Sequence, residues 1–148
     1  FEKWNIVGET NMLPGIALDA WFFFPSGDTD RKLGSSDSSV RFTAEVSKAW
    51  EYFSLHFNPG YTINCGSGPD TEALNGAILF RPHKTIWPAV EYNYHNKDEK
   101  GESHDIIPGI IWKFANCASV KAGAFINVKS TMTYREEAGV IFKIFYRF

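Results

Sequence analysis

The sequence predicts an all-β protein: an antiparallel, outer-membrane-type transmembrane β-barrel with about eight to ten strands in this chain, alone or within a larger barrel. Three observations predict it. Residues 137–148 alternate apolar positions (Ala138, Val140, Phe142, Ile144, Tyr146, Phe148) with Gly139, Ile141, Lys143, Phe145 and Arg147. Strand side chains alternate between faces, so one face is a continuous apolar stripe. The run matches the roughly 9–11 residues of a tilted spanning strand. Second, polar connections alternate long and short along the chain: long after Phe24, Ile63, Tyr94 and Val128, short after Ser47, Phe80 and Phe114. Outer-membrane barrels pair short periplasmic turns with longer outside loops. Third, period two recurs nearly throughout, and no stretch nears the roughly 18 apolar residues of a spanning helix.

The elements follow in order, as one barrel domain over residues 1–148, with 1–12 a doubtful first strand and turn. In strand 13–24, Ile16, Leu18, Ala20, Phe22 and Phe24 alternate with Ala17, Asp19, Trp21 and Phe23. Pro25-Ser26-Gly27-Asp28 opens a polar loop to Ser39. Strand 40–48 alternates Val40, Phe42, Ala44 and Val46 with Arg41, Thr43, Glu45 and Ser47. Strand 52–63 carries Phe53, Leu55, Phe57, Pro59 and Tyr61 in one phase and Ser54, His56, Asn58 and Gly60 in the other. Strand 74–81 is apolar in both phases, which leaves its facing open. Strand 86–95 has Val90 opposed by Glu91, and residues 95–104 read as a polar loop. Strands 105–114, 118–129 and 137–148 complete the set. Pro59, Pro88 and Pro108 cannot donate to a ladder, so each is expected near a strand end or bulge.

Composition bounds the function. The chain has 148 residues, enough for one domain, and is 16% aromatic, which suits strands and membrane interfaces. A net charge of −2 gives no footing for a nucleic-acid partner. Phe1-Glu2-Lys3-Trp4 lacks the charged start and apolar run of a signal peptide. The expectation is that a leader has been removed or that the chain starts partway through a longer protein. Cys65 falls in an outside loop and Cys117 in an inside turn. A membrane thickness would keep them beyond the roughly 7 Å Cα limit for a bridge. Trp50, Tyr52, Trp112 and Phe114 near the inside turns, with Tyr61 and Tyr94 near the outer ends, fit two aromatic girdles.

The alternation sorts the candidate site residues. Asp19, Arg41, Glu45, His56, Glu91, Lys113, Lys121, Lys143 and Arg147 take the lumen phase. Phe42, Phe57, Val90, Ile110, Ile126, Phe142, Ile144, Tyr146 and Phe148 take the lipid phase. A closed barrel of about eight strands is just wide enough to be filled by side chains, so the charges would form an internal ion-pair network. A wider barrel would present them as a pore lining. Ser54 and His56 share the inward face, with Glu45 on the neighbouring strand, which resembles part of a hydrolytic triad. Small lipid A deacylase barrels have a similar length but the opposite order, His-x-Ser. The expectation is therefore no enzyme, no cofactor and no metal.

The order of segments resembles the outer-membrane barrels associated with the meta-pathway of phenol degradation, a family assigned to transport. Leu13-Pro14-Gly15-Ile16-Ala17-Leu18 runs into Phe24-Pro25-Ser26-Gly27-Asp28, similar to that family's strand ending in Pro-Thr-Gly-Asp. Asn58-Pro59-Gly60-Tyr61, Val90-Glu91-Tyr92, Ile107-Pro108-Gly109-Ile110 and Tyr146-Arg147-Phe148 follow in the family's order. The resemblance covers most of this chain but only the C-terminal portion of the family's length. It implies a bacterial outer-membrane location, with long loops outside and a periplasmic C-terminus. It also implies passage or uptake of small hydrophobic or aromatic molecules, with membrane lipid as partner. The alternative is a non-catalytic structural barrel subunit of a larger envelope assembly.

Overall fold

The computed structural model describes residues 2–28, 33–35, 37–66, 68–97, 101–115, 117–132 and 137–146. Among them lie eleven strands and no helix: β1 (Glu2–Val7), β2 (Gly15–Phe23), β3 (Ser26–Asp28), β4 (Leu33–Ser35), β5 (Ser39–Ala49), β6 (Phe53–Asn64), β7 (Thr71–Phe80), β8 (Ile86–Lys97), β9 (Gly101–Ala115), β10 (Ala118–Ser130) and β11 (Ala138–Tyr146). Nine form one antiparallel meander, β1-β2-β5-β6-β7-β8-β9-β10-β11, while β3 and β4 pair with each other. The ring is not closed: β1 and β11 are free edges among the described residues. Every step reverses direction, so across nine strands the two edges run the same way.

The registers divide the sheet into two faces. Asp19 stands opposite Thr43, Glu91 opposite Ile107, and Lys121 opposite both Ile111 and Lys143. On the other face Phe42 stands opposite Tyr61, Ile110 opposite Pro88 and Ala122, and Val90 opposite Ile78 and Pro108. The strand β7 left open by sequence resolves here: Asn75 and Ala77 join the polar face, and Leu74 and Ile78 the apolar one.

Burial is inverted relative to a water-soluble sandwich. Asp19, Ser54, Ser103, Asp105 and Lys121 are buried, together with Ala17, Ala89 and Ile107 of the same face. Phe42, Phe57, Ile110, Phe142 and Ile144 are about half exposed or more. Among the described residues there is no helix, and the second sheet is only the short β3–β4 pair, so the main sheet itself must curl round its polar face. Two contacts confirm the concavity by skipping a strand. Lys3 of β1 bonds Glu45 of β5 across β2, and Lys121 of β10 bonds Glu91 of β8 across β9.

Glycines make the second crossing feasible. Gly109 lies between Ile107 and Ile111, under the line from Lys121 to Glu91, and stands opposite Gly123. A Cβ on Gly109 would meet the Ala122 carbonyl oxygen at 2.8 Å, and one on Gly123 the Pro108 oxygen at 2.8 Å. Gly139 faces the Phe125 ring, whose nearest atom would lie 2.3 Å from an added Cβ. Aromatic cover of an edge glycine compensates for its missing side chain.

Three sequence expectations are corrected. Of the expected loop 95–104, residues 95–97 and 101–104 are strand: β8 and β9 stay paired out to Lys97↔Gly101. Backbone pairing continues past the end of the apolar pattern because ladder bonds do not require greasy side chains. Gly101, with φ of 96°, sits at the turn side of this hairpin, where other residues would be strained. The polar segment after Phe24 contains the small β3–β4 hairpin, too short to show alternation. Finally, Pro59 and Pro108 lie inside strands without a register shift. Pro59 pairs with Leu74, while the β5 ladder passes from Thr43↔Gly60 to Val46↔Phe57 without pairs between. Pro108 pairs with Val90, while the β10 ladder passes from Gly123↔Gly109 to Ile126↔Ile106. A strand residue's N–H points to one neighbour only, so each proline interrupts one ladder and spares the other. Pro88, third residue of β8, is near an end as expected.

Gly109→Val should push a side chain into the Ala122 carbonyl and block the Lys121 crossing. A loss of about 1–3 kcal/mol is expected from such overpacking, read by urea titration of the folded protein.

Candidate functional site: the polar concave face

The concave face gathers most of the predicted inward residues, placed by alternate positions on β2, β5, β6, β8, β9, β10 and β11. Lys121 bonds Glu91, with side chains 8% and 25% exposed. The pairing is the condition for burying a lysine there. Glu45 is taken by Lys3, a residue the sequence reading did not place in the site. Arg41 donates to Thr62 Oγ1 at 3.2 Å and stacks over Phe23 at 5.2 Å. Lys113 sits 3.6 Å from the Trp87 ring centre, a cation–π contact that covers its charge at one end of the face. Lys143 stands directly opposite Lys121 in the ladder. Asp19 is 7% exposed, and its Oδ1 has no hydrogen-bond partner among the described residues. Arg147 and Phe148 lie outside the described residues.

His56 lies 3.2 Å from Ser54 Oγ through Nε2. The hydroxyl is on a residue only 5% exposed, and the nearby acid, Glu45, is occupied by Lys3. The pair thus has the spacing of a nucleophile and base, and among the described residues no acid is seen bonded to the ring.

The sequence reading missed a row of carboxamides. Asn58↔Asn75↔Asn93↔Asp105↔Asn127 are successive ladder partners across β6 to β10, hence level with one another on the concave face. Asn75 Nδ2 donates to Asn93 Oδ1, and Asn127 Nδ2 donates to Asp105 Oδ1 at 2.8 Å. Their common phase on each strand was visible in sequence, but their alignment required the registers. At the Asn58 end a cavity of about 600 Å³ opens, lined by Lys3, Asn5, Glu45, Ser47, His56 and Asn58 among others.

The other face ends in a rim. Beyond the apolar row through Tyr92, Ile106 and Ile126 come Tyr94↔His104↔Lys129, then Glu72↔Asn96↔Glu102. Glu102 bonds Lys129 at 2.6 Å, while His104 Nδ1 shares a hydrogen bond with Tyr92 at 2.6 Å. The Lys129 hydrogen bond and charge hold the Glu102 carboxyl below the usual carboxylate range. The same bond raises the Lys129 ammonium above its ordinary value. The short-turn ends are aromatic: Trp50 stacks on Phe53 at 4.6 Å, and Trp112 meets Phe114 at 5.6 Å. Cys65, after β6, and Cys117, before β10, are both free thiols at opposite strand ends.

An antiparallel all-β sheet with a charged concave face and an apolar convex one defines the class of this protein. Within that class the chain belongs to the family described as "Putative MetA-pathway of phenol degradation", whose sequence pattern matches residues 2–144. No curated protein sequence matches the chain.

Two outcomes follow. Lys121→Met should cost about 3–5 kcal/mol, because Glu91 is left without its counter-charge, whereas the double variant Lys121→Met/Glu91→Leu should recover most of it; urea titration in lipid reads both. At the rim, the Glu102–Lys129 pair contributes above the ordinary carboxylate value and is lost as pH falls through the lowered one. On the alkaline side it is lost as pH rises through the raised Lys129 value. Lys129→Met should therefore move the Glu102 titration upward in a carboxyl NMR pH series.

Proposed function

We propose that this sheet is the wall of an outer-membrane β-barrel through which small hydrophobic or aromatic molecules pass. The observation that carries the reading is the inverted polarity: charges buried on the concave face, large apolar side chains exposed on the convex one. In water that arrangement forfeits the main drive to fold, whereas against lipid it is the favoured one. The convex band is bounded by Trp112 and Phe114 at one end and by Tyr92, Tyr94 and the Glu102–Lys129 pair at the other, as interfacial girdles are. The family description, naming phenol degradation, supports small aromatic cargo. No catalytic role is assigned to the Ser54–His56 pair.

Lipid tolerates no open sheet edge, so β1 and β11 must be covered. Since both run the same way, antiparallel closure takes an odd number of further strands. A second reading, a filled structural barrel within a larger envelope assembly, draws on the Lys121–Glu91 pair crossing the concave face.

Reconstitution in planar bilayers separates the two: a passage gives discrete conductance steps, a filled barrel gives none. The membrane reading is tested by Val90→Arg, midway along the convex band. It should cost about 2–4 kcal/mol and deplete the folded, heat-modifiable form on gels. An unchanged folded fraction would place Val90 against water and end the proposal.

A further inference from the structure

We propose that the carboxamide row and the cavity at its end form a subsite for uncharged solutes carrying a hydroxyl or carbonyl group. The inference deepens the passage reading and rests on it. Asn58, Asn75, Asn93 and Asn127 lie level on successive strands except β9, where Asp105 takes the position. Amides both donate and accept, as a hydroxyl does. The one carboxylate in the row is 3% exposed and receives the Asn127 amide, which withdraws it from solutes.

The charges around the cavity are withdrawn in the same way. Lys3 and Glu45, which both line it, bond each other. Beside them Asn5, Ser47 and Asn58 face the space, and Glu9, a third charge in the lining, accepts the Ala49 N–H at 2.7 Å. An anionic solute entering here would shed water to meet a lysine already bonded to Glu45 and the negative charge of Glu9. A neutral hydroxyl would exchange water for an amide or serine partner at little cost. The row then offers further carboxamides on β7, β8 and β10. Binding spread over several weak sites is what conduction requires, since one deep well would trap the solute.

The test uses the reconstituted protein and three probes of matched size, followed by fluorine NMR: para-fluorobenzyl alcohol, para-fluorotoluene and para-fluorobenzoate. The alcohol should bind more tightly than the benzoate. Asn58→Leu should weaken the alcohol roughly two- to tenfold, the span of one neutral hydrogen bond, and leave the toluene unweakened. Ser47→Ala, a milder change at the same cavity, should weaken the alcohol in the same direction if Asn58→Leu fails to fold. Benzoate binding as tight as the alcohol, or alcohol binding unmoved by the folded variants, overturns the subsite. Selective alcohol binding without conductance steps would sink the passage reading and leave the subsite standing. Steps with unselective binding would do the reverse.

Discussion

The pairing of charges on the concave face is the constraint from which the rest of the structure follows. A lysine as enclosed as Lys121 needs a carboxylate, and the one it reaches is two strands away. That reach demands curvature, and curvature demands that nothing stand between. Gly109 and Gly123 meet that demand, at positions where a Cβ would strike backbone oxygen. The Lys3–Glu45 bond crosses β2 diagonally, between Asp19 opposite Lys3 and Ala17 opposite Glu45. The glycines at the Lys121–Glu91 crossing are thus one feature with that ion pair, not a separate one.

Much of the fold was legible because alternation survives any register. Asp19, Arg41, Glu45, His56, Glu91, Lys113, Lys121 and Lys143 share one face, and Phe42, Phe57, Val90, Ile110, Ile126, Phe142, Ile144 and Tyr146 the other, as the ladders show. Strand ends were less legible. Residues 95–104 look like a loop because side chains report environment, while the ladder that keeps them paired is made by the backbone. The prolines misled in the opposite direction. A missing N–H suggests a broken strand, yet Pro59 and Pro108 cost one ladder each while the other neighbour holds the strand in line.

The carboxamide row marks the limit of reading residues one strand at a time. Asn58, Asn75 and Asn93 are unremarkable polar positions separately, and only the offsets between strands make them neighbours. A charge announces a need for a partner, so the ionic half of the site could be suspected from sequence. An amide is content in water or against another amide, and carries no such signal.

On the proposed membrane reading, symmetry narrows how the sheet can be completed. Copies inserted with the same orientation are related by rotation about the membrane normal, which preserves strand direction. Every edge such a copy presents, β1 or β11, then runs the same way as the edge it would meet. A β1-to-β11 contact between copies would be parallel, against the antiparallel order of every other step, and β1-to-β1 pairing would invert one molecule across the bilayer. Closure by a second copy is therefore disfavoured on direction alone, whatever its side chains. The strand that covers these edges must run opposite to both. On the proposed membrane reading it also presents an apolar side to lipid.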